Sequence, residues 1–435
     1  MYLAIILVFA IGYLAIATEH VIKINKTASA LLIAVICWIL LIFGRDTIFT
    51  AISPSHSIDF ITESLLIQVG EISEILFFLL GAMTIVELID AHEGFSIITD
   101  RIKISSRIKL LWALCFITFF LSAALDNLTT AIVMATLLKK MIKNKEDLWL
   151  FAGMIIIAAN AGGAWSPIGD VTTIMLWIGG QVTATNIVTE IFIPSLVCMI
   201  VPLIVLSFKL KGDFIQETAD EDSVEIKGGL ANHFEKRLIF FVGIGALLFV
   251  PIFKTVTHLP PFMGILFGLS IIWITTEILH RNKNEEHKKH LSIAGIIERI
   301  DTPSILFFLG ILMAVAALQV GGHLLQLSTL LDKTFDNIYV INTLIGVFSS
   351  IIDNVPIVAG AMGMYSLDVY PVDSVFWELL AFCAGTGGSI LIIGSAAGVA
   401  IMGIFKIDFI WYLKRISVLA ILGYAAGIGV YMFLN

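Results

Sequence analysis

The chain has 435 residues, of which 58% are hydrophobic and only 14% charged, and its mean hydropathy is +0.99. Ordinary soluble domains carry about 25% charged residues, so the composition excludes that class and points to a polytopic membrane protein. The formal net charge of -8 gives no sign of a nucleic-acid surface; in a membrane protein the placement of charge says more than its sum.

Apolar runs fall at 2–18, 28–44, 71–90, 110–138, 150–178, 187–208, 238–253, 261–279, 303–320, 338–364, 376–404 and 416–434. Most have the length that a helix needs to cross a hydrocarbon core of about 30 Å. Residues 1–18 carry no basic leader and no small-residue cleavage site, which predicts a retained first helix. Residues 54–70, 94–111 and 321–341 are more polar and read as interfacial helices. The most hydrophilic segment, Lys211 to Arg237, carries an acidic patch from Asp213 to Glu225 and reads as a solvated inter-repeat loop. Cys37, Cys115, Cys198 and Cys383 lie inside apolar segments, where reduced thiols act as small hydrophobes, and no disulfide or metal-ligand spacing is present.

Charge placement sets the topology. With both termini outside, all of the 26 basic residues except Arg45, Lys254 and Lys333 fall in inner connections, as the positive-inside rule requires. The count works only if 110–138, basic at both ends, enters and leaves on one side as a re-entrant hairpin. Residues 338–364 have no basic flank and suit a second hairpin from the outside. Each hairpin carries an Asp-Asn pair, Asp126-Asn127 and Asp353-Asn354. An ionisable group within an apolar segment is costly and marks a functional site by default.

The two halves look like copies. Ile75-Leu-Phe-Phe-Leu-Leu-Gly81 recurs as Ile305-Leu-Phe-Phe-Leu-Gly310, and the Asp-Asn pairs follow 49 residues after Phe77 and 46 after Phe307. Asn160-Ala-Gly-Gly-Ala-Trp-Ser-Pro-Ile-Gly-Asp170-Val-Thr172-Thr173 parallels Gly385-Thr386-Gly-Gly-Ser389 to Gly394-Ser395. These glycine-rich centres lie in runs of nearly 30 residues, which predicts spans broken into half-helices around unwound backbone. The expected fold is an all-α polytopic membrane protein of two inverted-topology repeats, each with five spans, one of them broken, and one re-entrant hairpin. Repeat 1 covers 1–210, the cytoplasmic loop 211–237 and repeat 2 238–435.

Four half-helix termini then converge near the midplane. Helix N-termini alone favour anions, but this chain adds Asp126, Asp170 and Asp353 together with Asn127, Asn160, Asn354, Thr129, Thr173, Thr386 and Ser389. Hard oxygen donors of this kind suit a small hard cation, Na⁺ or Li⁺. A carboxylate in low dielectric beside another holds its proton more tightly, so protons compete with the cation, and competition for one site suffices for exchange. Ser122, Thr172 and Ser350 are accessory candidates, although Ser and Thr also bond back to their own helices. Asp170, after Pro167 and Gly169, also suits a plain N-cap. Glu87 and Asp90, near the inner end of the third span and followed by His92 and Glu93, suit proton access or pH sensing or simply an interfacial span end. No enzyme constellation or cofactor motif appears. The rivals are a Na⁺-coupled carrier of an organic or oxyanion substrate, a channel and a sensor; no Lys or Arg is visible inside a span to meet an anion.

Leu125-Asp126-Asn127, Asn160 to Thr173, Ile352-Asp353-Asn354-Val-Pro356 and Gly385-Thr-Gly-Gly-Ser389 resemble the NhaD-type sodium/proton antiporters, a branch of the ion transporter superfamily. The resemblance runs along nearly the whole chain, from Glu19-His20 and Ile24-Asn-Lys26 onward. It implies a bacterial inner-membrane protein, without a cofactor, that exports Na⁺ or Li⁺ in exchange for protons under salt and alkaline stress. It also implies a homodimer with a scaffold part and a transport part moving as an elevator.

Overall fold

The structure, a computed structural model, describes residues 1–49, 54–99, 106–210, 232–281, 291–335 and 337–435, with residues 102, 104 and 212 singly. The acidic inter-repeat segment Asp213 to Glu225 lies outside the described residues. Regular structure among them is helical, and nine helices are long and apolar enough to cross a membrane. In chain order the helices are α1 (Tyr2–Ala17), α2 (Lys26–Ile48), α3 (Pro54–Ala91), α4 (Arg107–Leu125), α5 (Asn127–Met141), α6 (Lys145–Ala164), α7 (Val171–Ile178), α8 (Ala184–Ser207) and α9 (His233–Thr257). They continue as α10 (Pro261–His280), α11 (Thr302–Val320), α12 (His323–Phe335), α13 (Ile338–Ser349), α14 (Asn354–Met364), α15 (Val375–Gly387), α16 (Ala396–Phe405), α17 (Phe409–Arg415) and α18 (Ser417–Leu434).

Polar residues at the ends of apolar runs start these helices. The Asn144 side chain accepts from the N–H groups of Glu146 and Asp147 at the head of α6. Asn232 and Glu235 form a reciprocal capping box on α9, which satisfies two N–H groups that no helix can pair internally.

The predicted interfacial segments fare differently: 321–341 does hold a helix of its own, α12 (His323–Phe335), while the other two are redrawn. Residues 54–70 are not a separate helix: α3 runs unbroken for 38 residues, about 57 Å at 1.5 Å per residue. Of its polar residues, Gln68 lines a cavity together with Glu71 and Glu74 of the following turns, whereas Asp59 and Glu63 are exposed. Among the described residues of 94–111, the one-turn helix Ser96–Thr99 precedes α4, which opens at Arg107. The end of α3 is sealed by Gly94 N–H bonding Ile89 O at 2.8 Å, and Arg107 pairs with Asp147 at the head of α6. Residues 321–341 divide at Asn337, whose side chain accepts from Tyr339 N–H at 2.8 Å and starts α13. The end of α3 is also tied to the end of α10, where His92 and His280 face each other with Nε2 atoms 3.2 Å apart.

Packing sorts most of the helices into two groups, with α14 packed on both, against α11 of the first and α7, α13 and α15 of the second. In one, α2 packs on α1, α11 and α3, and α3 packs on α9, α10 and α11. In the other, α6 packs on α4, α5, α8, α15 and α16, while α15 packs on α13, α14 and α18. At the centre of the second group, every residue from Phe151 to Ala164 on α6 and from Phe376 to Gly387 on α15 is buried. Such burial on all faces needs small residues where backbones cross.

The same crossings occur in both halves. Ser122 Oγ donates to Ala159 O at 2.6 Å, and Ser349 Oγ to Ala384 O at 2.9 Å. A methyl group on Gly162 would lie 2.2 Å from Phe119 O, and one on Gly387 2.1 Å from Gly346 O. Gly162→Ala and Gly387→Ala are therefore expected to cost about 1–3 kcal/mol through overpacking, read as a lowered thermal midpoint in detergent. Gly429→Ala, where the methyl meets nothing within 4 Å, is the control and should leave the midpoint unchanged or raised.

Candidate ion-binding site

Four apolar runs are interrupted, and the interruptions meet. The α4–α5 chain breaks at the single residue Asp126, α6–α7 at residues 165–170, α13–α14 at 350–353 and α15–α16 at 388–395. Each following half-helix is capped by its own side chain. Asp126 accepts from Thr129 N–H at 2.8 Å, Asp170 from Thr172 N–H at 3.0 Å, Asp353 from Val355 N–H at 3.4 Å and Ser395 from Gly398 N–H at 3.2 Å. The positive helix ends are thus turned on internal oxygens.

Asp170 is the hub. It is buried to 1% exposure, and its carboxylate accepts from Asn127 Nδ2 at 2.8 Å and, more loosely, from Asn354 Nδ2 at 3.4 and 3.5 Å. Both asparagines of the Asp-Asn pairs therefore converge on one carboxylate. Asn127 Nδ2 also reaches Asn160 Oδ1 at 3.1 Å, and Asn160 Nδ2 donates to the hydroxyls of Ser389 and Ser395, each at 2.9 Å. Thr173 closes the turn on the Asp170 backbone, its hydroxyl donating to Asp170 O at 2.9 Å.

Asp126 and Asp353 sit on a neighbouring cavity of about 80 Å³, also lined by Asn127, Thr129, Phe307 and Lys26. The Asp126 carboxylate is held by both the N–H and the hydroxyl of Thr129, each at 2.8 Å. Its backbone, at φ 97 and ψ 160, lies in a region that side chains other than glycine enter at a cost of about 1–3 kcal/mol and that concentrates at functional sites. Among the described residues no three His, Cys, Asp or Glu side chains stand close enough to hold a metal ion on their own; the oxygen set depends on the amides and hydroxyls beside the carboxylates.

Other predicted members stand apart. The Thr386 hydroxyl donates to Phe382 O at 2.6 Å and that of Ser350 to Val347 O at 2.7 Å, each within or next to its own helix. Ser122 is spent on the α4–α6 crossing. Thr172 contributes its backbone N–H to Asp170.

Two larger cavities flank the small one along α3. One, of about 420 Å³, is lined by Gln68, Glu71, Glu74, Gln181 and Gln319; the other, of about 450 Å³, by Glu87, Asp90, Thr129, Arg299 and Asp301. Between them α3 presents Phe78, Leu79, Ala82 and Met83 to the central cavity. Glu87 and Asp90 thus line a vestibule that reaches Thr129, the partner of Asp126.

Sequence reasoning missed two residues here. Ser395 occupies the position equivalent to Asp170, and the paired Gly169-Asp170 and Gly394-Ser395 carried that signal. Lys26 read as a plain connection charge, yet its ammonium lies 4.0 Å from Asp353 Oδ2 and 4.5 Å from the centre of the Phe307 ring. The expectation that no lysine or arginine meets the site is therefore corrected. The α2 terminus is drawn there because Asn25 caps it and Thr27 Oγ1 donates to Pro303 O at 2.9 Å, just before the bulk of α11.

The model of a family described as citrate transporters matches residues 13–379. Sodium/proton antiporter 1 of Arabidopsis thaliana is 47% identical over 430 residues, covering 99% of this chain and 72% of the relative. Sodium/proton antiporter 2 of the same plant is 44% identical, covering 98% of both chains. The Na(+)/H(+) antiporter NhaD of Alkalimonas amylolytica is 31% identical, covering 99% of this chain and 90% of the relative. With relatives matching along nearly its whole length, the chain belongs to the NhaD-type sodium/proton antiporters of the ion transporter superfamily.

Proposed function

We propose that this multi-pass membrane protein exchanges Na⁺, and Li⁺ in its place, for protons at the carboxylates of Asp126, Asp170 and Asp353. The observation that carries this reading is the convergence of Asn127 and Asn354 on buried Asp170 beside a cavity of about 80 Å³ that also holds Asp126 and Asp353. A water's share of liquid volume is about 30 Å³, so the cavity suits an ion with part of its hydration shell. Without a cation, the amide N–H groups of Asn127 and Asn354 satisfy Asp170. When a cation arrives, rotation of these amides presents their oxygens to it, and Asn160 with Ser389 and Ser395 holds the set in place.

Protonation of the same carboxylates removes the charge that attracts the cation, so one site serves both ions in turn. The two vestibules flanking the site along α3 supply its access from either side. The division into two helix groups supports an elevator movement of the α4–α8 and α13–α18 group against the other. The crossings duplicated in both halves support the inverted repeat. In this reading the protein works as a homodimer in the plasma membrane, with both termini outside as the charge placement requires.

A second reading, a Na⁺-coupled carrier of an organic anion, is favoured by Lys26 at the cavity and by the family model's description. Two features weigh against it. Lys26 is already paired with Asp353, and the 450 Å³ cavity it also lines, large enough for an organic ligand, sets Glu87, Asp90 and Asp301 against Lys26 and Arg299, a balance that disfavours an anion. The test is dissipation of a respiration-driven pH gradient in everted membrane vesicles. Antiport predicts a response to Na⁺ or Li⁺ alone; a response that needs added citrate or another organic anion would establish the carrier instead.

A further inference from the structure

We infer that Lys26 is the site's built-in competitor: its ammonium holds Asp353 while no cation is bound and is displaced when the cation arrives. This rests on the antiport reading and adds to it a residue that couples occupancy to the two helix groups.

Three observations carry the inference. The Lys26 ammonium faces Asp353 Oδ2 at 4.0 Å, with side-chain exposures of 31% and 20%. It also lines the cavity that contains Asp126, the vestibule of Glu87 and Asp90, and a third cavity of about 90 Å³ with Tyr13, Glu19 and Asp353. A charge at the meeting of three cavities has water and space into which to withdraw. Finally, the pair ties α2 of the first group to α14, the helix packed on both groups, because Lys26 opens α2 whereas Asp353 caps α14. The start of α2 is fixed by Thr27 to Pro303 and by Lys26 N–H to Glu19 Oε1 at 3.2 Å, so the long side chain alone is left to swing.

An ammonium and Na⁺ cannot both neutralise the same carboxylate at close range, so the cation binds only against the lysine's competition. When the cation wins, the link between α2 and α14 opens. Lys26 is thus a positioning residue: it sets cation affinity and the moment of release without ligating the ion.

The experiment compares wild type with Lys26→Gln and Lys26→Arg. In everted vesicles, at a pH high enough for the carboxylates to be ionised, the Na⁺ concentration for half-maximal exchange and the maximal rate are both measured. A partly exposed ion pair is a modest competitor. Lys26→Gln is therefore expected to lower the half-maximal Na⁺ concentration by about two- to fivefold while the maximal rate falls. Lys26→Arg should restore the wild-type values. A merely structural role would lower the rate without tightening Na⁺.

If Lys26→Gln transports too slowly to assay, Na⁺ titration calorimetry on the purified variant reads the same affinity change without transport. An unchanged or weakened Na⁺ affinity in Lys26→Gln, with wild type active, overturns the inference and leaves the antiport reading standing. Wild type showing no Na⁺-driven proton movement overturns both.

Discussion

Asp170→Asn is expected to abolish Na⁺-driven proton movement while the protein still folds. The substituted amide keeps an oxygen for Thr172 N–H, so the α7 cap survives. Its nitrogen, however, then faces the Nδ2 groups of Asn127 and Asn354, setting donors against donors where the native carboxylate accepts at 2.8 and 3.4 Å. The site loses its most buried charge and two of its organising contacts together.

Apparent Na⁺ affinity should fall at least 100-fold, about 2.8 kcal/mol at 1.4 kcal/mol per tenfold. Asp170→Glu should not rescue it. A longer arm carries the carboxylate past the positions at which it meets Asn127 and Asn354 at 2.8 and 3.4 Å. Retention of exchange by Asp170→Asn, measured as gradient dissipation per protein in the membrane, would remove Asp170 from the site.

The second large effect separates charge from capping at Asp126. All three aspartates cap helices, so capping alone is a complete rival account of them. Asparagine caps as well as aspartate does and has the same shape, so it adds no backbone strain beyond what Asp126 already carries. Asp126→Asn should therefore keep the α5 cap and the backbone turn at φ 97 while removing only the charge. It is expected to hold its thermal midpoint within a few degrees and to lose exchange at least tenfold.

Asp126→Ala removes the cap too and should lower stability by about 1 kcal/mol or more. If Asp126→Asn transports like wild type and only the alanine variant suffers, Asp126 is a cap and nothing more.

Much of this architecture was legible in the residues. Asp126 and Asp353 stand out because a bilayer makes ionisable groups rare, and the glycine pairs at 162–163 and 387–388 correctly mark helix interruptions. The convergence of Asn127 and Asn354 on Asp170 was not legible, because it depends on how the interruptions at Asp126 and Asp353 approach a third one at Asp170. The partner of Thr386 was likewise not legible: its hydroxyl donates to Phe382 O within α15, a bond that leaves its lone pairs facing elsewhere.

Segment 54–70 misled because its exposed polar residues, such as Asp59 and Glu63, mark a solvated face of α3 and not a break in the helix. Lys26 misled for a related reason. Its position in sequence marks the start of a span, whereas its flexible four-carbon stem places the charge elsewhere.

The central claim is that Na⁺ and protons compete for one set of buried carboxylates. Its most direct test is Na⁺ binding to the purified protein by calorimetry in buffers of different ionisation enthalpy, across a range of pH. Competition predicts protons released on Na⁺ binding and an apparent affinity that tightens as pH rises, because fewer carboxylates then hold a proton. Na⁺ binding that releases no protons and is indifferent to pH would contradict it.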